Sequence, residues 1–274
     1  MKYTLNRNEC RRHFDELFNK IFKGGFQDKT LPLDFDRIYY YLELLADADL
    51  LREGVRLLDL GGGLSIFAPL ISKYGVKVTI VDDFGGGGGV RIEARSEDIK
   101  ILQIFREELG IGIIEMNFLE QEIPFPAGSF DVVTCFHSLE HWHHSPKRLF
   151  QDLSRLLRSR GFIVLVTPNA VNIRKRVFVL LGHTNFPAVT EWYNEAVFRG
   201  HVREPVMSDL CRILEWNDMS VVSASGRNFI GRRSRALSFL PAPLLRSIAS
   251  GADRVLQFFP TLCSDIHVVG QKNK

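Results

Sequence analysis

Cysteine is scarce in this sequence: its 274 residues include only Cys10, Cys135, Cys211 and Cys263. None falls in a Cys-x-x-Cys pair or a Cys/His cluster, so neither a zinc site nor a disulfide framework is suggested and a reducing compartment fits. Net charge is nearly absent as well, at +3 from 35 Lys and Arg against 32 Asp and Glu. That excess is too small for a nucleic-acid binder, although it suits a phosphate-bearing ligand or an anionic surface. No apolar run reaches the roughly 20 residues of a membrane span. The opening MKYTLNRNECRRHF lacks the apolar core of a signal peptide, so a cytoplasmic protein is expected. Two stretches qualify that expectation: IRKRVFVLLG (173–182) and FLPAPLLRSIASGADRVLQFFPTL (239–262) mix basic with large apolar residues. Helices that lie on a membrane have this composition, so peripheral membrane contact is expected alongside plain packing on the domain.

What is present is a regular alternation of elements. VRLLDLG (55–61), VKVTIVD (76–82), IGIIEMN (111–117), SFDVVTCF (129–136), GFIVLVTP (161–168), MSVVSASG (219–226) and SDIHVVGQK (264–272) read as seven strands. Between them SIFAPLISKYG (65–75), SEDIKILQIFREELG (96–110), SPKRLFQDLSRLLRS (145–159) and PVMSDLCRILEWN (205–217) have helical spacing. Strands that are continuously apolar belong to a parallel sheet covered on both faces. The fold class is therefore α/β: a doubly wound, mostly parallel, seven-stranded Rossmann-like sheet with helices on both faces. A helical segment over 1–50 precedes a domain over 51–274, which carries helical insertions at about 171–203 and 232–262.

The stretch LLDLGGGLS closes the first strand with three glycines, and the second strand ends in Asp82 and Asp83. Gly61, Gly62 and Gly63 let the backbone turn and approach a ligand, while an acid at the second strand end can accept both hydroxyls of a ribose. Dehydrogenases and methyltransferases share this arrangement. A dinucleotide fingerprint GxGxxG would need a third glycine where Ile66 stands, which disfavours the first. The run GGGGG at 85–89 lacks the Lys and Ser/Thr of a P-loop and reads as a flexible loop.

DLGGGLS, then VD, IPFPAGSFDVV, HSLEH and GFIVLVTPN form an ordered set over residues 50 to 170. As a set it resembles the class I S-adenosylmethionine-dependent methyltransferases, in particular the small-molecule branch with a type 11-like domain. The resemblance implies S-adenosyl-L-methionine as cofactor. It places Asp59, Gly61, Gly62 and Gly63 at the methionine half, Asp82, with Asp83 as substitute, at the ribose, Asn117 and Phe118 at the adenine, and His137 at the edge of the methionyl pocket. Asn117 stands where the family commonly has an acid.

The acceptor side is less defined. HSLEHWHHSP (137–146) holds His137, Glu140, His141, His143 and His144, a density that invites a metal reading. The resemblance already employs Glu140 and His141 as pocket and structural residues, so no metal is expected. RGHVREPVMSDL (199–210) adds His201 and Arg203, which the resemblance places in a segment closing over the active site. His201 is a candidate base, with His141 beside it in role, and Arg203 a candidate holder of an acidic group. Arg174, Lys175 and Arg176 are expected to face phosphates, and Trp192, Tyr193 and Phe198 a sugar or hydrophobic ring. O-methylation of a saccharide or lipid-linked small molecule is the expected activity. N- or C-methylation of another metabolite, or a catalytically silent partner-binding subunit, stands as the alternative.

Overall fold

The computed structural model describes residues 5–22, 35–85, 96–194, 198–228, 251 and 253–274. Seven strands form one sheet: β1 (Arg56–Leu60), β2 (Lys77–Asp82), β3 (Gly112–Glu115), β4 (Phe130–Phe136), β5 (Leu157–Pro168), β6 (Met219–Arg227) and β7 (Asp265–Lys272). Their order is β3-β2-β1-β4-β5-β7-β6. The first five run parallel, whereas β7 is antiparallel to both β5 and β6. A doubly wound, mostly parallel sheet is what the apolar strand runs predict.

Successive residues of β1 point to opposite faces. Leu57 joins a core with Val78, Ile80 and Val132, covered by α1 (Arg7–Phe22), α2 (Phe35–Asp47), α3 (Phe67–Ser72) and Ile101 of α4 (Ser96–Gln103). Leu58 and Leu60 join the opposite core with Val81, Val133 and Ile163, covered by α5 (Lys147–Leu156) and α8 (Met207–Glu215). The pattern of α5 shows why it lies there: Leu149, Phe150, Leu153 and Leu156 recur at helical spacing and are all buried. Two short helices, α6 (Ile173–Leu180) and α7 (Val189–Asn194), follow β5 outside both cores.

The helix expected over 96–110 passes at Gln103 into a π-helical turn over Ile104–Glu108, and three other helices differ in extent from the sequence expectation. Helix α3 occupies only Phe67–Ser72, and α8 begins at Met207, two residues after Pro205. The third difference is larger: α5 stops at Leu156, and residues 157–159, expected as helix, belong to β5. Leu157 already pairs with Phe130, and the ladder then shifts register before Val132 meets Phe162. Asp131 accounts for the switch, since its carboxylate binds Arg158 at 2.5 Å and Arg56 at 3.1 Å. Those partners lie across the strands, and the intrinsic helix preference of Arg does not compete with them. Of the glycine run only Gly85 lies within the described residues, and most of the insertion expected at 232–262 lies outside them.

Candidate active site

Strands β1 and β4 are neighbours although β2 and β3 intervene in the chain, so the strand order reverses between them. The connections leaving their carboxyl ends diverge and open a crevice there. A cleft of about 340 Å³ occupies that position, and Gly61, Asp82, Asp83, Asn117, Phe118, His137 and His141 lie on its wall. Six of the nine expected cofactor residues therefore meet in one space. Asp59 and Gly62 line a smaller adjoining cleft of about 140 Å³ together with Tyr41 and His137. Gly63 contributes through its backbone, its N–H donating to Asp82 Oδ2 at 2.9 Å.

The glycines answer to different constraints. Gly61 has φ +64°, and a Cβ there would sit 2.0 Å from Ser138 Oγ. At Gly62 the obstacle is Asp59, whose Oδ2 would be 2.0 Å from the added carbon. Asp59 itself is 1% exposed and accepts a hydrogen bond from the Thr134 hydroxyl at 2.7 Å. Burial pushes its pKa up to about 7, the Thr134 hydrogen bond opposing and Asp82 adding to the rise. Burial also raises Asp82, against the opposing N–H donors of Phe84 and Gly63. Each Asp82 oxygen accepts one backbone N–H, which leaves further lone pairs on the carboxylate. Asp83 is exposed and accepts from the Gly85 N–H. Asn117 uses its side-chain oxygen to accept from the Leu119 N–H, so it shapes its own turn as well as the cleft wall. Phe118 packs edge-on to Trp142 at 5.7 Å between centroids.

A backbone wall without Cβ atoms, an acid at the end of β2 and an aromatic side chain facing the same cleft form a cradle suited to an adenosine group carrying a short amino acid. The residues present fit S-adenosylmethionine on this ground.

A half-buried polar cluster around Glu140 continues from the cleft wall. His137 has φ +51° and hydrogen-bonds Tyr41 through Nε2 at 2.9 Å, with Nδ1 3.5 Å from Glu140. Glu140 is 1% exposed and accepts from the Thr167 hydroxyl. Burial alone would raise its pKa, but hydrogen bonding and charge from His137 hold the carboxyl below its ordinary value. The backbone N–H groups of Val202 and Arg203 both donate to the Glu140 carbonyl, which draws the segment after Arg199 across the site. His201 thereby meets His141 edge to face, 4.9 Å between ring centroids. Burial lowers the His201 pKa and favours its neutral imidazole, although Glu140 opposes the shift.

Two of the three expected catalytic side chains are thus brought together. The third, Arg203, pairs with Asp209 at 3.6 Å and lines a neighbouring cleft of about 930 Å³ with Trp142 and Trp216. The expectation for the basic run needs correction, because Lys175 is buried and ion-paired with Glu204. Arg176 is directed at the carbonyls of Val171 and Thr261, and only Arg174 of the three is left beside an exposed ring, Phe178. Ser138, Tyr41 and Glu204 are the site residues that sequence reading missed. Glu204 alone carried a local signal, lying three residues after His201.

Comparison with known proteins gives the family. Residues 7–224 match the family model described as "Methyltransferase domain". "Probable methyltransferase PMT7" of Arabidopsis thaliana is 31% identical over 123 residues, covering 44% of this chain and 18% of the relative. "Ubiquinone biosynthesis O-methyltransferase" of Xanthomonas axonopodis pv. citri (strain 306) is 28% identical over 117 residues, covering 42% of this chain and 44% of the relative. The chain thus spans less than half the length of either. A SAM-dependent methyltransferase from Mesorhizobium loti superposes with a TM-score of 0.54 at 13% identity, over 88% of this chain and 98% of that one, a likeness of fold. With a cleft at the sheet's switch point and the family match running from α1 into β6, this chain belongs to the methyltransferase domain family, of the class I S-adenosylmethionine-dependent type.

Proposed function

We propose that this protein is a small-molecule methyltransferase using S-adenosylmethionine, and that its acceptor presents a hydroxyl oxygen. The observation that carries the reading is the joining of two spaces: the cleft walled by Gly61 and Asp82 also exposes His141, which touches His201. When bound, the cofactor supplies an electrophilic methyl carbon whose C–S bond breaks with its electron pair staying on sulfur. Asp82 is assigned to the ribose hydroxyls, Phe118 and Asn117 to the adenine, and the Asp59 and glycine-loop backbone to the methionyl end. Asp83 stands by as the substitute acid. His137, fixed between Tyr41 and Glu140, borders both clefts and is assigned to the methionyl edge. His141 and His201 serve the acceptor hydroxyl, and Arg203 an acidic group entering from the larger cleft.

For the acceptor we favour a saccharide or lipid-linked molecule met at a membrane surface. In support, Val177, Phe178, Val179, Leu180, Leu181, Phe186, Trp192 and Tyr193 are all more than two-fifths exposed, in a segment that also carries Arg174. The name of the ubiquinone-pathway relative agrees with oxygen as the methylated atom. No helix among the described residues is long and apolar enough to cross a membrane, so the contact would be peripheral.

Calorimetric titration with S-adenosylmethionine and S-adenosylhomocysteine tests the first step, with Gly61→Val as the disabled variant. Binding by the wild type and its loss in a folded variant are expected. Failure of the folded wild type to bind either compound overturns the enzyme reading and leaves a partner-binding subunit. A screen of sugar and lipid-linked hydroxyl acceptors then tests the oxygen: transfer only to amine or carbon acceptors would reject it.

A further inference from the structure

Glu140, His141 and His201 each offer one ligand atom, and the three atoms lie within 4.8 Å of one another. Glu140 and His141 share the short turn Leu139–His141 after β4, while His201 arrives from a segment held by two N–H bonds to the Glu140 carbonyl at 2.7 and 3.3 Å. The cluster is therefore fixed by backbone as well as by side chains.

The protonation of both imidazoles follows from their partners. His141 Nδ1 is 2.9 Å from the Arg199 carbonyl oxygen, which can only accept, so Nδ1 carries the hydrogen and Nε2 the lone pair. His201 Nδ1 is 2.7 Å from Glu204 Oε1, and Glu204 is in turn ion-paired with buried Lys175, so the carboxylate accepts and Nε2 again keeps a lone pair. A carbonyl or carboxylate behind each ring is the outer support that metal-ligating histidines use to set tautomer and orientation. Glu140, 1% exposed, adds a negative charge to the two lone pairs. Three electron-rich groups held this close favour a cation among them.

We propose that Glu140, His141 and His201 form a binding site for one divalent first-row transition-metal cation, with open coordination positions for a hydroxyl oxygen of the methyl acceptor. Two imidazoles and one carboxylate suit manganese, iron, cobalt or zinc better than magnesium or calcium, which prefer all-oxygen shells. The family resemblance, which employs Glu140 and His141 as pocket and structural residues, left no place for a metal, and His201 stands 60 residues from His141 in the chain. The acceptor part of this proposal rests on the methyl-transfer reading, whereas the cation site does not.

The test is titration of untagged, chelator-treated full-length protein with Co²⁺, followed by visible absorption. One equivalent should bind with ligand-field bands, and His141→Ala and His201→Gln should each weaken binding by roughly 10- to 100-fold or more. His183→Ala, in the exposed turn after α6, should bind as the wild type does. Circular dichroism checks that each variant is folded, and His201→Gln keeps a side chain of similar reach. A folded wild type that takes up no Co²⁺, or equal affinity in wild type and both site variants, overturns the site. Titrating the same samples with S-adenosylhomocysteine separates the two readings. Retained binding of this compound with no Co²⁺ site rejects the metal alone. Co²⁺ binding without binding of this compound supports the cation site while rejecting the methyltransferase reading.

Discussion

The glycine loop after β1 and the segment from Ile173 to Asn194 are built in opposite ways. In the loop, space is decided to within an atom: Ser138 stands where a side chain at position 61 would go, and Asp59 stands where one at position 62 would go. In the segment, Leu180 is 86% exposed, Tyr193 79% and Phe186 78%, and Lys175 is its one buried helical side chain. The loop leaves β1 between its two ladder partners, β2 and β4. The segment has no sheet beneath it to specify a conformation and presents apolar surface instead. A cofactor common to the family can be served by a rigid sheet edge, whereas acceptor choice falls to structure the sheet does not constrain.

The contrast would break most visibly at Gly61. Gly61→Ala adds a Cβ against Ser138 in a backbone of positive φ, and should cost cofactor binding and stability together about 2–4 kcal/mol, read by calorimetry and denaturant titration. Adding Ser138→Gly should restore the steric part and leave the backbone strain. Full loss in the double variant would show that packing against Ser138 is not what fixes the loop. Next in size, Asp82→Ala should weaken S-adenosylhomocysteine binding by about 1–3 kcal/mol, through lost ribose bonds and a loosened Gly63 N–H. An unchanged affinity would remove Asp82 from the site.

Asp59 bears on the pH dependence of stability, and the net rise of its pKa already includes the opposing Thr134 hydrogen bond. Its folded pKa of about 7 lies above the ordinary carboxylate value, so the folded state keeps a proton that the unfolded state releases. Stability therefore falls as pH rises from about 4 to 7. Asp59→Asn should flatten that fall in denaturant midpoints measured across this window, and an identical slope would place the carboxylate in a better-solvated setting. The smallest effect is expected in the exposed segment, where Leu180→Ser should change stability by less than about 0.5 kcal/mol. The same change should reduce sedimentation with anionic vesicles if the segment meets a membrane. A large loss of stability would instead mean that Leu180 is covered in the folded protein.

Strand runs and glycine positions were readable because both express local rules. Leu57, Leu58 and Leu60 are apolar in succession because the two faces of β1 are both covered, and Gly61 is glycine because of its backbone angle and a close neighbour. The end of α5 was not readable in the same way: the Asp131 carboxylate that pairs with Arg158 of β5 lies on another strand, β4. The fate of Lys175 was equally hidden, since its position in a basic run says surface, and Glu204, 29 residues on, takes it inside.

By itself the sequence determined the α/β class, the parallel strands and the place of the glycine loop, each of which depends on residues close together in the chain, and the family resemblance, which depends on the order of such short motifs. Only the tertiary structure decided that β7 enters antiparallel between β5 and β6 and that His201 joins Glu140 and His141. Those outcomes depend on hydrogen bonds and ion pairs between distant segments. Hydrophobic periodicity records which face of an element is buried, and it carries no record of which polar groups will meet once the faces have packed.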